Sequence, residues 1–246
     1  MKLTILGSGT CVPSLKRSSP SNFLKILNKD VIIDFGPGTL HQLLKAKIDY
    51  KTIDFVFLTH FHSDHVSELR SYIQALDWTP NFNRTKDLIL IGPAGFKDYF
   101  KKMINSKPRP NTYKIKIKEI KDNLAIGGFK VKCVKTVHSK ESVAYKFTEK
   151  TKSIVITGDC DYDLNLIKFS KNSNLLLTEC SFPNDMKVVG HLISKECGEI
   201  AKQANVDKLV LTHLYPATSS EAVRLKEAKK IFRNTILAED LLTIDI

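Results

Sequence analysis

The sequence contains little cysteine and no paired cysteine motif. Five cysteines are scattered along 246 residues, with no C-x-x-C pair. Such an odd, dispersed set argues against a disulfide framework and against a cysteine-built zinc site. We expect most of these cysteines to be small buried residues, although Cys160 adjoins a candidate metal ligand. The five are Cys11, Cys133, Cys160, Cys180 and Cys197.

Long apolar runs are also missing. No run approaches the roughly 20 residues that a membrane-spanning helix needs. Gly7 and Gly9 interrupt the N-terminal segment before the hydrophobic region of a signal peptide can develop. The 42% hydrophobic content and mixed charge are typical of a folded globular protein. We therefore expect a cytoplasmic protein that makes no membrane contact.

Acidic residues are few, with 26 Asp and Glu against 38 Lys and Arg and a formal net charge of +12. The imbalance is strongest from Lys97 to Lys140, where thirteen basic residues accompany three acidic ones. Such an excess attracts RNA or a small phosphorylated substrate. Within it, residues 114–118 alternate between lysine and isoleucine, which is equally typical of an exposed sheet edge guarded by lysines.

The spacing of apolar residues predicts alternating blocks of strands and helices. Pro37 suits the first turn of the first helix, and Ser194 and Ser220 are predicted N-caps. Strands are predicted at residues 2–6, 22–27, 31–34, 53–58, 88–91, 115–120, 129–137, 143–147, 154–157, 175–178 and 209–212, and helices at 34–46, 66–78, 94–103, 194–204 and 220–232. This order indicates an α/β fold, with two sheets packed face to face and helices outside, in a single domain spanning residues 1–246.

The strongest functional signal follows the apolar strand predicted at residues 53–58. His60, His62, Asp64 and His65 place four metal-binding side chains within six residues. By chance, these residue types at these positions should occur in roughly one such chain in two thousand. Imidazole and carboxylate groups suit zinc, iron or manganese. The alternative is that these histidines merely cap the following helix.

Three further candidate ligands each follow a predicted apolar strand: His138, Asp159 and His213. Any one of them can be an ordinary loop residue. Their shared position at strand ends, however, supplies two more nitrogens and a carboxylate that can bridge two ions. The sequence therefore predicts a dinuclear metal site.

This pattern resembles the metallo-β-lactamase superfamily, and residues 6–13, 16–18 and 34–39 resemble its branch of ribonuclease Z and related phosphodiesterases. The resemblance covers essentially the whole chain and implies a four-layer αβ/βα sandwich of two mixed sheets. It implies two divalent ions, expected to be zinc with manganese or iron as alternatives, and a homodimer is common in this branch. By this likeness, His60, His62 and His138 hold one ion, Asp64, His65 and His213 hold the other, and Asp159 bridges them.

The resemblance also suggests catalytic roles. Two ions about 3.5–4 Å apart lower the pKa of a shared water, whose hydroxide attacks the substrate. Asp64 can orient that water or accept its proton, and His191 is the candidate proton donor to the leaving oxygen. His191 matches the late histidine motif of ribonuclease Z only in part, and it can instead simply begin a helix. Glu179 is expected to position His191, and Tyr215 to line the substrate pocket.

One departure concerns transfer RNA. Ribonuclease Z grips it with a long arm, whereas here only twenty residues separate His138 from Asp159, and most belong to two predicted strands. The basic segment 97–121 is a different candidate surface. We expect a phosphodiesterase acting on RNA or on a small phosphodiester such as a cyclic nucleotide. The alternatives are a carboxyl-ester, lactone or thioester hydrolase, and a non-catalytic nucleic-acid-binding module. A diiron oxidoreductase is least favoured, because such relatives commonly carry an acidic ligand at the position of His62.

Overall fold

The first sheet is built from the N-terminal half of the chain and its last strand. The computed structural model describes residues 1–103, 112–216 and 221–246. The strands of this sheet are β1 (Lys2–Gly7), β2 (Ser21–Ile26), β3 (Lys29–Ile33), β4 (Phe55–Phe57), β5 (Leu88–Gly92), β6 (Ile115–Glu119) and β14 (Thr243–Asp245). Their order is β14-β1-β2-β3-β4-β5-β6. Neighbours from β14 to β3 are antiparallel, and those from β3 to β6 are parallel.

The second sheet repeats this plan with the remaining strands. They are β7 (Asn123–Ile126), β8 (Phe129–Lys135), β9 (Val143–Glu149), β10 (Lys152–Ile156), β11 (Leu175–Glu179), β12 (Lys208–Thr212) and β13 (Thr235–Leu237). Their order is β13-β12-β11-β10-β9-β8-β7. Neighbours from β7 to β10 are antiparallel, and those from β10 to β13 are parallel.

The helices cover the outer faces of the two sheets. They are α1 (Thr39–Lys45), α2 (Ser63–Val66), α3 (Leu69–Trp78), α4 (Phe96–Met103), α5 (Leu164–Ser170), α6 (Ser194–Gln203) and α7 (Glu221–Lys229), with a short 3-10 helix at Tyr50–Thr52. None of the helices in the described ranges is both long and apolar enough to cross a membrane.

Burial of apolar side chains explains the layering. One buried cluster combines inward-facing residues of both sheets, and in it Phe57 of β4 packs edge to face on Tyr145 of β9, with ring centroids 5.3 Å apart. A second cluster lies between the first sheet and α3, and a third between the second sheet and α6. The central strands of each sheet are thus buried on both faces, which explains the continuous apolar runs of β4 and β12, whereas β8 alternates between buried and exposed residues. The predicted four-layer αβ/βα sandwich is confirmed.

The boundaries differ from the predictions in specific places. Six short elements were not predicted: α2, α5, β7, β13, β14 and the 3-10 helix. The three residues of β14 carry little pattern of their own and are held by pairing with β1 across almost the whole chain. The strand predicted at residues 115–120, read as part of the second strand-rich block, lies parallel to β5 in the first sheet.

Two of the predicted helix starts differ from the structure, and a third lies outside the described residues. Pro37 precedes the N-cap of α1, which is Gly38, so it lies outside the first turn. Ile193, not Ser194, caps α6, and its backbone N–H donates to Glu196 at 3.0 Å, while Ser194 is buried as the first helical residue. Ser220, and residues 104–111 of the basic segment 97–121, lie outside the described residues.

Candidate metal centre

The site lies where parallel strands of both sheets end. In open α/β sheets the carboxyl ends of the strands form a crevice, and loops leaving them bring distant residues together. His60 follows β4, Asp159 follows β10 and His213 follows β12. His138 follows β8, which ends at Lys135 instead of the predicted residue 137. The structure thus brings all seven predicted ligands to one rim of the sandwich.

Local backbone geometry aims two of these side chains. His213 has φ +55°, a left-handed conformation that is uncommon for residues other than glycine. Such conformations persist where the surrounding structure fixes them, and they cluster at functional sites. Gly158, at φ +60°, turns the chain before Asp159, and a Cβ there would lie 2.6 Å from the Thr59 side chain. Glycine is therefore required where the two sheets meet at the site.

The first group of candidate ligands contains His60, His62, His138 and Asp159. The nitrogens His62 Nδ1 and His138 Nε2 lie 3.1 Å apart. Asp159 Oδ2 lies 3.8 Å from His60 Nε2 and 3.6 Å from His138 Nε2. These atoms converge on one point and leave room for an ion between them.

The second group contains Asp64, His65 and His213, and it faces the other oxygen of Asp159. Asp159 Oδ1 lies 3.1 Å from His65 Nε2 and 3.3 Å from His213 Nε2. Asp64 Oδ2 lies 3.7 Å and 3.5 Å from the same two nitrogens. The two oxygens of one carboxylate therefore face two separate groups of ligands.

Unpaired polar atoms test whether this arrangement suits metal ions. Within the described part of the chain, His60 Nε2, His65 Nε2, His213 Nε2 and Asp159 Oδ1 are buried without a hydrogen-bond partner. A buried polar atom left unsatisfied costs about 1–3 kcal/mol. His60 Nε2 faces the first group and the other three atoms face the second, so each group contains buried polar atoms that need a ligand. Imidazole nitrogen and carboxylate oxygen are zinc donors, so the residues present fit divalent ions.

The buried carboxylates of the site also favour a positive charge between the ligand groups. Burial would raise the pKa of the Asp159 carboxyl, but the His213 and His65 imidazoles hold it well below its usual range. Burial would lower the pKa of His65, yet the carboxylates of Asp159 and Asp34 raise it well above its usual value. The pKa of His60 is lowered mainly by burial and also by the charge of His65. The lowered pKa favours the neutral imidazole, which is the form that binds a metal ion.

Neighbouring groups fix the second nitrogen of four histidines. His65 Nδ1 lies 2.8 Å from Asp34 Oδ2, and His60 Nδ1 lies 3.0 Å from Thr59 Oγ1. His138 Nδ1 lies 2.8 Å from the carbonyl oxygen of Gly190, and His213 Nδ1 lies 3.0 Å from Ser181 Oγ. Such contacts orient the ring and leave Nε2 for the metal.

Sequence reasoning missed Asp34 and Ser181 as residues that orient the site. Asp34 is buried and also accepts hydrogen bonds from the Thr59 backbone N–H and hydroxyl, at 2.7 and 2.8 Å. The available signal was its position at the end of the strand predicted at residues 31–34, and the structure places it directly after β3 with φ +62°. The role of Ser181 depends on contacts across two loops, and no local pattern indicates it.

His191 and Glu179 form a pair beside the second group of ligands. His191 Nδ1 lies 2.9 Å from Glu179 Oε1, and the His191 ring stacks on His213 with centroids 5.8 Å apart. Burial lowers the pKa of His191, but the Glu179 carboxylate outweighs it and raises the pKa. Glu179 is buried and also accepts from the backbone N–H of Cys160 at 2.7 Å and of Leu192 at 3.1 Å.

Tyr215 lies on the same side of the site. Its ring stacks on Phe182 at 4.9 Å and lies 5.6 Å from the His213 ring. The Tyr215 hydroxyl lies 3.3 Å from the exposed Cys11 thiol. Cys160, in contrast, is fully buried in the apolar cluster under α6, as expected for a small apolar residue.

Known proteins share this architecture along the whole chain. Ribonuclease Z of Archaeoglobus fulgidus is 27% identical over 308 residues, covering 100% of this chain and 97% of the relative. The metallo-β-lactamase fold protein YhfI of Bacillus subtilis has a TM-score of 0.87 at 26% identity, covering 99% of each chain. Human tRNase Z, short form, shares the fold with a TM-score of 0.82 at 23% identity, covering 100% of this chain and 99% of that one.

The sandwich fold and its buried His/Asp cluster define a metal-dependent hydrolase of the metallo-β-lactamase superfamily, related to ribonuclease Z. A narrower relationship emerges from a family model that matches residues 1–233. The chain belongs to the family of the anti-Pycsar protein Apyc1.

Proposed function

We propose that the protein is a dinuclear phosphodiesterase that hydrolyses a nucleotide phosphodiester. In this proposal His60, His62 and His138 hold one divalent ion, and Asp64, His65 and His213 hold the other. Asp159 bridges the two ions, because each of its oxygens faces one group. Zinc is the expected ion, with manganese or iron as alternatives. Bound at this position, the ions supply Lewis-acid activation of water and of the phosphoryl group.

The protein's own residues then move protons. A water oxygen forms a bond to phosphorus while the bond from phosphorus to the leaving oxygen breaks. Asp64 orients the water through its second carboxylate oxygen and accepts the proton that the water loses. The leaving oxygen takes a proton from His191 Nε2, because Nδ1 is held by Glu179. Glu179 acts as a positioning residue, and Tyr215 and Phe182 form a flat wall next to this proton donor.

The pair of His191 and Glu179 is the single observation that carries the proposal for a phosphodiester. A ribose oxygen is a poor leaving group, so its departure requires a positioned proton donor. The His191 ring lies directly against the ring of His213, a ligand of the second ion in this proposal. Full-length relatives named ribonuclease Z support the same class of chemistry.

Substrate assays test the proposal. Purified, metal-loaded protein should hydrolyse bis(p-nitrophenyl) phosphate and at least one of two natural classes, 3′,5′-cyclic nucleotides or short RNA. Carboxyl-ester, lactone and thioester substrates, assayed in parallel, test the alternative chemistry. Activity on acyl substrates alone would identify the protein as an acyl hydrolase and contradict the proposed phosphodiesterase. Inactivity on every substrate despite bound metal would contradict the proposed hydrolysis.

We also propose that residues 1–246 form one domain. Both sheets contribute to a single central apolar cluster, in which Phe57 contacts Tyr145 and Phe147 of the opposite sheet. One cooperative transition in calorimetry is expected, whereas two separate transitions would contradict it.

A further inference from the structure

The segment from Lys187 to His191 touches both groups of candidate ligands. The carbonyl oxygen of Gly190 lies 2.8 Å from His138 Nδ1, in the first group. The last residue, His191, is the proposed proton donor, and its ring stacks on that of His213 in the second group. A displacement of this short segment would therefore move two parts of the proposed catalytic machinery at once.

This segment lies in a loop, and its tip is not packed. It forms a turn in which the backbone N–H of His191 donates to the carbonyl oxygen of Val188 at 3.2 Å, and Val189 at the tip is 88% exposed. Gly190 has φ +88°, and a Cβ there would lie 3.2 Å from His138 Nδ1. The fit against His138 is thus close, although no apolar packing at the tip maintains it. Polar contacts must hold the segment in place.

The ammonium group of Lys187 makes three such contacts. It donates to Asp161 Oδ1 at 2.5 Å, to Glu196 Oε2 at 2.7 Å and to the backbone carbonyl oxygen of His191 at 2.8 Å. A lysine ammonium has three N–H donors, so each of them has an acceptor here. The side chain is 34% exposed, which leaves it only partly screened by water.

The two carboxylates that Lys187 contacts are fixed to other parts of the fold. Asp161 Oδ2 accepts from the backbone N–H of Gly190 at 2.8 Å, and the Asp161 backbone N–H donates to the carbonyl oxygen of Val137 at 2.7 Å. Glu196 belongs to the first turn of α6. Burial lowers the pKa of Lys187, but the Asp161 and Glu196 carboxylates outweigh this effect and raise it. The ammonium therefore connects the segment to the loop after β10 and to α6.

We infer that Lys187 is a positioning residue, whose ammonium group holds the segment so that Gly190 orients His138 and the backbone fixes the place of His191. The inference deepens the proposed function and rests on it for the roles of His138 and His191. Hydrogen bonds from a charged donor are about twice as strong as neutral ones. Without the ammonium, the carboxylates of Asp161 and Glu196 would lose their shared cation and repel each other.

Metal affinity tests the inference without relying on turnover. Lys187→Met keeps the length of the side chain and removes its charge, and zinc affinity is measured by competition with a chromogenic chelator. In a His213→Ala background, where the first group remains intact, Lys187→Met should weaken zinc binding about three- to tenfold, less than the ten- to hundredfold typical of residues that contact a ligand directly. In a His138→Ala background, the change should stay below about twofold.

Rates at saturating zinc test the effect on His191. With Lys187→Met, kcat for a dinucleotide should fall about two- to tenfold, the effect of one lost hydrogen bond, while KM stays within about twofold. The kcat for bis(p-nitrophenyl) phosphate should change less than about twofold, because its leaving group needs no proton. Lys187→Arg should restore the affinity and both rates, since a guanidinium also donates to these acceptors. Lys195→Met, on α6 and paired with Glu199 at 3.8 Å, is the matched control and should change none of them.

The inference is overturned if Lys187→Met weakens zinc binding equally in both backgrounds or in neither. An equal loss of kcat with the two phosphodiesters would indicate a general structural defect and would also overturn it. If the parent hydrolyses phosphodiesters and Lys187→Met matches it in every measurement, the inference fails and the proposed function stands. If zinc affinity falls only in the His213→Ala background but the parent turns over no phosphodiester, the positioning of His138 is supported and the proposed hydrolysis is contradicted.

Discussion

Glu179→Gln tests whether His191 is the proton donor. Glu179 contacts His191, but it contacts none of the atoms that we propose to bind the metal ions. Its carboxylate lies 2.9 Å from His191 Nδ1 and accepts from the Ser181 hydroxyl at 2.6 Å. Glutamine preserves size but removes the charge that holds His191. A hydrogen bond to a charged group contributes about 1.5–3 kcal/mol. If that bond holds the donor in the transition state, its loss lowers kcat about ten- to one-hundred-and-fifty-fold.

The leaving group distinguishes this role from a structural one. A dinucleotide releases a ribose oxygen that needs a proton, so the full loss of kcat is expected with that substrate. Bis(p-nitrophenyl) phosphate releases a stable phenolate, so its kcat should fall by no more than about threefold. Glu239→Gln, at an exposed position outside the site, is the matched control and should leave both rates unchanged.

A double-mutant cycle completes this test. If Glu179 acts through His191, then Glu179→Gln should have little further effect on kcat in a His191→Asn background. The unfolding midpoint of each variant should be measured, because the side-chain NH2 of glutamine would face one of the two backbone N–H donors, that of Cys160 or that of Leu192, and cost about 1–3 kcal/mol of stability. Equal losses of kcat with both substrates, or additive losses in the double variant, would refute the positioning role.

Three further outcomes are expected. Asp34→Asn should lower the activity and the affinity for the second ion about ten- to a hundredfold, because the His65 ring loses the carboxylate that orients it. Titration with metal measures this affinity. Chelation should lower the thermal midpoint, since free ion at a hundredfold excess over its Kd stabilises the fold by about 2.7 kcal/mol. The hydrogen bond from Arg17 holds the pKa of Glu221 below its usual value. The ion pair therefore contributes its full stabilisation at pH values above the usual glutamate pKa. This stabilisation is lost as the pH falls through the lowered pKa of Glu221. In Glu221→Gln the thermal midpoint should therefore fall less steeply than in the parent as the pH drops below about 4.3. The difference in unfolding free energy should be less than about 1 kcal/mol, because the ion pair is part-exposed.

The sequence predicted the features that depend on local pattern. The apolar run of β4 and the histidines after it identified the rim of one sheet, and His138, Asp159 and His213 were identified by their position after apolar strands. The structure brings these residues together because parallel strands of both sheets end at the same rim. The residue types and their periodicity were sufficient for this prediction.

Features that depend on distant contacts were not predictable in this way. The strand β14 exists because it pairs with β1, and its own three residues carry no pattern. Ser181 gains its role from His213 and His191, which approach it from separate loops. The stacked pair of Phe61 and Tyr99 joins a loop to α4, whose Tyr99 lies more than thirty residues later in the chain, so only the fold reveals this contact.

Metal stoichiometry is the most direct test of the central claim that two groups of ligands share Asp159. Elemental analysis by plasma mass spectrometry, after reconstitution with zinc, manganese or iron, should give two ions per chain. His138→Ala and His213→Ala should each reduce this value to about one, because each variant disrupts one group and leaves the other intact. A parent protein that holds no ion under any of these conditions, or two ions retained in both variants, would contradict the account.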